Sequence, residues 1–363
     1  MKNKLITSIV VAGSLTFATT AMAEDIVNVY NWSDYIDEEA IPAFEKATGI
    51  RVRYDLFDGM PTLETKLLTG NSGYDVTVPT SSTVERMAAA GALMPLDKSK
   101  LPNLKHLDPA MMAELAGFDP GNKYAVPYLW GTVGLGYNVS MIKKRLPNAA
   151  VDSLDLIFKP ENAAKLADCG IGMIDDPGEI TVIVLNYLGL DPYSGKKADL
   201  KAAEDLLMSI RPHIRYVKGT GYLDDLANGE ICVMLGYSVD MFQVQSTIEK
   251  NKSDTKVAFS IPSEGTVLYF DTLAIPAGAP NADNAHKFIN HMMDPNVAAK
   301  LSNFLWTANA NSGSNEFLDP ELKADTAVYP SAATVAKLKA NITVPQKIVR
   351  ARTRLLTKFK TGN

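Results

Sequence analysis

The chain has 363 residues, 41 acidic against 36 basic side chains, a formal charge of −5 and 46% apolar residues. That length exceeds what one hydrophobic core usually supports, so two lobes are expected. The acidic balance argues against nucleic acid as a partner and favours a cationic small molecule.

Met1-Lys-Asn-Lys4 precedes an apolar run from Leu5 to Thr20, then Ala21-Met22-Ala23 before Glu24. A charged tip, an apolar stretch and a small-residue cleavage site, in that order, read as a secretory signal peptide over residues 1–23. A soluble protein working outside the cytoplasm is expected, with formal charge −7 once Lys2 and Lys4 are gone.

Ile26 to Tyr30 alternates as a strand, and Asp37 to Thr48 carries Ile41 and Phe44 at helical spacing with Gly49 as a stop. A strand over 51–57, a helix over 62–68, a strand over 74–78 and a helix over 82–90 continue the alternation, which implies an α/β sheet with crossover helices. Residues 126–137 mix glycines and a proline with apolar residues, as suits a strand passing between lobes. A second α/β unit follows: helices over 179–188 and 198–210 and a buried strand over 231–235. Strands over 256–260 and 267–275 and a helix over 282–293 come next. The basic end, Arg350, Arg352, Arg354, Lys358 and Lys360, reads as a solvated helical face.

Cys169 and Cys232 are the only cysteines. In an oxidising compartment a bridge between them is expected, the alternative being two buried free thiols. Four histidines without metal-ligand spacing, and the lack of a GxSxG elbow, a P-loop or a dinucleotide fingerprint, leave carboxylates as the chemistry-bearing groups. Asp34 follows Trp32-Ser33 and precedes Tyr35; Asp240 stands three after Tyr237; Asp271 follows Tyr269-Phe270; Asp176 and Glu179 flank the start of a helix. An acid beside a ring neutralises an ammonium while the ring holds methylenes and adds cation–π attraction. Each acid taken alone also fits a cap, a turn or a structural ion pair.

In order along residues 24–363, Val29-Tyr-Asn-Trp-Ser-Asp-Tyr-Ile36, Val78-Pro-Thr-Ser-Ser82, Pro127-Tyr-Leu-Trp130, Lys159-Pro-Glu-Asn162, Leu185-Asn-Tyr-Leu-Gly189, Asp225-Leu-Ala-Asn-Gly229 and Thr307-Ala-Asn-Ala-Asn311 resemble the periplasmic polyamine-binding proteins of bacterial ABC importers, most of all their putrescine-binding branch. The resemblance implies an α/β, two-lobed periplasmic binding protein fold of type II, with ligand in a cleft between the lobes, and a Cys169–Cys232 disulfide. The lobes are expected over 24–129 with 253–304, and over 130–252 with 305–363. It implies ligand contacts from Trp32, Ser33, Asp34 and Tyr35, hydroxyls from Thr80 and Ser82, and acids from Glu179, Asp240 and Asp271. Tyr237 and Tyr269 stand where the family has bulkier or wholly apolar aromatics. Thr307 stands where the putrescine branch has an aromatic, with Trp306 beside it. Asp176 and Asn341 are polar where that branch is small or apolar, so spermidine competes with putrescine as ligand.

The resemblance further implies a monomeric, non-enzymatic receptor without cofactor or metal that delivers a polyamine to an inner-membrane permease. A polyamine-sensing receptor, or a secreted hydrolase using Glu179 and Asp240 as acid and base, are the rival readings.

Overall fold

The computed structural model describes residues 25–362 except 34, 220 and 341, and leaves the side chains of 242 and 246 undescribed. The expected signal peptide and the candidates Asp34 and Asn341 lie outside the described residues.

β1 (Ile26–Trp32) is flanked in parallel by β2 (Arg51–Phe57) and β3 (Val76–Thr77). Between β1 and β2 the helix Ala40–Thr48 stops at Gly49, whose φ of 73° is the left-handed conformation that glycine adopts without a Cβ penalty. β4 (Ala125–Asn138) is buried at all fourteen positions. β5 (Ile171–Met173), β6 (Ile214–Val217) and β7 (Val233–Tyr237) form a parallel set. β8 (Val257–Ser260), β9 (Val267–Ala274), β10 (Ala308–Asn309) and β11 (Lys339–Ala340) complete the strands. The strand order is β2-β1-β3-β9-β4-β7-β5-β6.

β4 belongs to two sheets. Ala125–Thr132 pairs antiparallel with β9, and Val133–Asn138 pairs with β7 and β8. Two large apolar cores follow the same division. One gathers Val27, Phe44, Val78, Leu129, Leu273 and Phe288, and the other gathers Val133, Leu166, Ile183, Leu235 and Val244. The strand thus runs from one core into the other, with Gly131, Gly134 and Gly136 beside the crossing.

The packing turns from one core to the other at different places from those expected. β8 lies against the second half of β4, with Ser260 opposite Leu135, so residues 257–260 pack with the second core and not the first. The return comes inside β9: Val267 belongs to the second core, whereas Leu268 and Phe270 pack with Trp130. Residues after 304 stay with the first sheet, because Ala308 and Asn309 pair with Trp130 and Leu129 and the Asp108 N–H donates to the Ala310 carbonyl. β11 pairs with Val267 and Leu268 at the return, and the C-terminal helix Gln346–Thr361 packs into the second core through Leu355, Leu356 and Phe359. On that helix Arg352 departs from the expected solvated face: it is buried and donates to the Pro192 carbonyl at 3.1 Å.

Cys169 and Cys232 are joined, as expected, 63 residues apart in sequence. They sit just before β5 and β7, where Ile171 pairs with Val233, so the bridge ties the starts of neighbouring strands.

Candidate functional site

In an α/β sheet, ligands bind beyond the carboxyl ends of the strands, and Trp32, Glu179 and Tyr237 lie at or just past such ends, whereas Tyr269 and Asp271 lie within β9. Trp32 closes β1, its ring 4.6 Å from that of Phe57. Ser33 is exposed in the following turn, and Tyr35 is buried. After β3, Thr80 takes an extended backbone before the helix Ser81–Ala89 and forms an isolated antiparallel bridge with Asp271 on β9. The Thr80 hydroxyl donates to that of Thr83 at 3.0 Å and lies 3.4 Å from that of Ser82. These residues make the first-sheet side of the site.

The second-sheet side begins with Asp176, which caps the helix Pro177–Tyr187. Its Oδ1 accepts the Glu179 backbone N–H at 2.8 Å, and Pro177 takes the first helical position, where no N–H is needed. This cap holds the Glu179 side chain in the first turn. Tyr237 ends β7 and starts the helix Ser238–Lys250, whose first turn carries Asp240.

Three carboxyl groups each accept one tyrosine hydroxyl. Tyr35 donates to Asp271 Oδ2 at 2.7 Å, Tyr237 to Glu179 Oε2 at 2.8 Å, and Tyr222 to Asp240 Oδ2. Among the described residues, no ion pair joins a lysine or arginine to any of the three. Desolvation therefore governs their titration. It pushes Asp240 up to about 7, and Asp271 to about 7 against the opposing pull of the Tyr35 hydroxyl. Glu179 is raised well above the usual carboxylate range by burial and then by the charges of Asp176 and Asp271, with the Tyr237 hydroxyl opposing. Asp176 is also raised by burial, against the N–H groups of Glu179 and Gly178. Asp271 on the first sheet and Glu179 on the second lie close enough for the charge of one to reach the other.

The tyrosine rings frame this acidic cluster. Tyr237 and Tyr269 meet edge to face with centroids 5.4 Å apart, and Tyr35 and Tyr128 do so at 6.0 Å. The arrangement presents buried negative charge and ring surface together, which suits a chain of methylenes ending in ammonium groups.

Of the candidates, Tyr35, Thr80, Glu179, Tyr237, Asp240, Tyr269 and Asp271 are brought together by these contacts. Thr307 is buried at the crossing, its hydroxyl 3.4 Å from the Trp130 carbonyl to which it donates. Trp306 does not take its place beside the acids. Its backbone is left-handed, with φ 49°, and its indole N–H donates to Asp325 at 3.0 Å.

Four residues absent from the sequence-based set also belong here. Gly131 lies where an added Cβ would come within 2.4 Å of the Tyr269 hydroxyl and 2.6 Å of Ser238 Oγ. Ser238 Oγ accepts the Thr132 N–H at 3.2 Å, tying helix to crossing strand. Arg86 is held by Glu64 and Thr83, and its charge opposes the rise at Asp176. Tyr222 has no neighbouring sequence motif to mark it. For Gly131 a signal was available, because a glycine inside a strand often marks a close approach.

Among the described residues, no group of three or more His, Cys, Asp or Glu is placed to hold a metal ion, and no helix is long and apolar enough to cross a membrane.

Residues 39–330 match the family described as bacterial extracellular solute-binding protein. The putrescine-binding periplasmic protein PotF of Escherichia coli is 45% identical to the chain, with 99% of each covered. The putrescine-binding periplasmic protein SpuD of Pseudomonas aeruginosa is 42% identical over 99% of this chain and 98% of its own. Among solved structures, the spermidine/putrescine ABC transporter substrate-binding protein PotD from Streptococcus pneumoniae superposes with a TM-score of 0.82 at 28% identity, covering 93% of this chain and 99% of that one. The sheet shared across β4, the buried acidic cluster and these likenesses agree, and the chain belongs to the bacterial extracellular solute-binding proteins, in their periplasmic polyamine-binding group.

Proposed function

We propose that this protein is a periplasmic receptor that closes around one protonated aliphatic polyamine and hands it, as a monomer and without covalent chemistry, to the permease of an ABC importer. The observation that carries the reading is the cluster of Glu179, Asp240 and Asp271, drawn from both sheets, each accepting a tyrosine hydroxyl and none ion-paired with a lysine or arginine among the described residues. Charges so placed need a counter-ion, and an ammonium group supplies it. The relatives named above are described as putrescine- and spermidine/putrescine-binding, which supports the same class. In this reading the lobes are 25–132 with 268–338, and 133–267 with 339–362, hinged where β4, β9 and the chain entering β11 cross.

Trp32, Ser33 and Thr80 with Ser82 are the proposed first-lobe contacts, and Tyr237 and Tyr269 the rings along the methylenes. Ligand length turns on Asp176. As a helix cap it is already used by the Glu179 N–H, and Arg86 supplies positive charge nearby, both of which favour a diamine over a triamine.

The test is retention. Ligand-stripped protein is mixed with equimolar putrescine, cadaverine, agmatine, spermidine and spermine, passed through gel filtration, and the retained amine identified by mass spectrometry. Stoichiometric retention of one polyamine is expected; retention of none contradicts the reading. Loss of uptake on deletion of the gene separates transport from sensing.

A further inference from the structure

We propose that Tyr222 is a positioning residue of the cleft, whose hydroxyl fixes Oδ2 of Asp240 so that the other carboxylate oxygen is presented to a ligand ammonium. This rests on the reading that Asp240 is one of the ammonium acceptors.

Tyr222 immediately precedes the helix Leu223–Ala227 and is 1% exposed, so it lies in the core of the second lobe. Its ring packs beside Gly236 on β7. A Cβ on that glycine would stand 3.4 Å from both Cε2 and the hydroxyl of Tyr222. The next residue, Tyr237, ends β7 and opens the helix that carries Asp240, so the ring lies beside the residue that leads into this helix. From that position the hydroxyl donates to Asp240 Oδ2.

A carboxyl in the first turn of a helix has several staggered side-chain positions open to it. One donor on an immobilised ring selects one of them. Among the described residues, the field of Asp240 reaches Tyr269 on β9, and no lysine or arginine forms an ion pair with Asp240. Tyr222 therefore supplies the fixed donor that an ion pair would otherwise provide. The pairs Tyr35–Asp271 and Tyr237–Glu179 repeat the same solution at the other two acids. What distinguishes Tyr222 is its burial in the core, which makes Asp240 the route by which it acts on a ligand.

The experiment is calorimetric titration of wild type, Tyr222→Phe, Asp240→Asn and the double variant with putrescine, between pH 6 and 8.5. Phenylalanine keeps the buried ring and removes only the hydroxyl, so an unchanged circular dichroism spectrum is expected. Affinity at pH 7.5 should fall about ten- to hundredfold, the range for a hydrogen bond to a charged group. Without its donor the ionised carboxylate is less favoured, so the fall in affinity on acidification should begin at a higher pH than in wild type. In the Asp240→Asn background, Tyr222→Phe should have no further effect. Equal weakening with and without the Asp240 carboxylate, or an unaltered affinity and pH profile in Tyr222→Phe, overturns the positioning role. The pH profile decides the matter if Asp240→Asn binds too weakly to titrate. If wild type binds none of putrescine, cadaverine, agmatine or spermidine, the receptor reading fails first and the role of Tyr222 with it.

Discussion

The hydroxyl of Tyr35, in the turn after the first strand, donates at 2.7 Å to Oδ2 of Asp271, 236 residues further along the chain. The contact joins the loop that carries the first cluster of candidates to the strand that returns from the second lobe. It leaves Asp271 with a neutral donor and no countercharge, in surroundings that raise its carboxyl to about 7.

Asp271→Asn should therefore weaken polyamine binding by about 3 kcal/mol, on the order of a hundredfold, because it removes one partner of a buried charge pair. The ligand-free variant should be no less stable than wild type at pH 8, since an uncompensated buried charge has been removed. Calorimetry and thermal melts on the same preparations check both halves; a melting temperature lowered along with unchanged affinity would make Asp271 a structural residue only.

Stability should depend on pH in a direction opposite to that of salt-bridged carboxylates. Asp240 and Asp271 have folded-state values near 7 against an ordinary 3.8. The folded, ligand-free protein thus holds protons that the unfolded chain has released between about pH 4 and pH 7, and its stability falls as pH rises through that window. The increase in melting temperature given by saturating putrescine should be larger at pH 8 than at pH 6. The Asp240→Asn/Asp271→Asn double variant should show a flatter profile for the ligand-free protein.

Much of this is legible in the sequence, and the limits follow from physics. Helix ends were readable where a terminator is local: Gly49 stops the first helix in the left-handed conformation, and Asp176 caps the helix that holds Glu179. The strand after Cys232 starts two residues later than the apolar run, at Val233, although the Cys232 N–H donates to the Gly170 carbonyl and its own carbonyl accepts the Asn138 N–H, continuing the pairing toward the disulfide. Which half of β4 residues 257–260 and 308–309 pair with is not legible in the sequence, because nothing in those residues records their partner strand. The acids were visible from their aromatic neighbours in sequence, but Tyr222 reaches Asp240 from 18 residues away, and only the fold brings them together.

Gly131→Ala tests the crossing strand. The new Cβ would meet the Tyr269 hydroxyl and Ser238 Oγ at 2.4 and 2.6 Å, so ring or helix must move. A stability loss of about 1–3 kcal/mol is expected from such overpacking. Putrescine affinity should fall at least tenfold, read by titration at a temperature where the variant is folded. Wild-type affinity would show that Tyr269 does not line the ligand.

The Cys169–Cys232 bridge closes a 63-residue separation and should stabilise the folded chain by about 4 kcal/mol in the chain-entropy treatment. Replacing both cysteines by alanine should lower the melting temperature and leave polyamine affinity at 20 °C close to wild type, because the bridge lies at the starts of β5 and β7 while Glu179 and Asp240 lie past their opposite ends. A large affinity loss in a folded variant would place the bridge in the site.

The most direct measurement is calorimetric titration of the ligand-stripped protein with putrescine and with spermidine at pH 7, in two buffers of different ionisation enthalpy. One-to-one binding of at least one amine is expected, with apparent enthalpies that differ between buffers because protons leave the Asp240 and Asp271 carboxyls as ammonium groups arrive. Absence of binding by both amines, or binding with no proton release, would contradict a site built on buried carboxylates that await a cation.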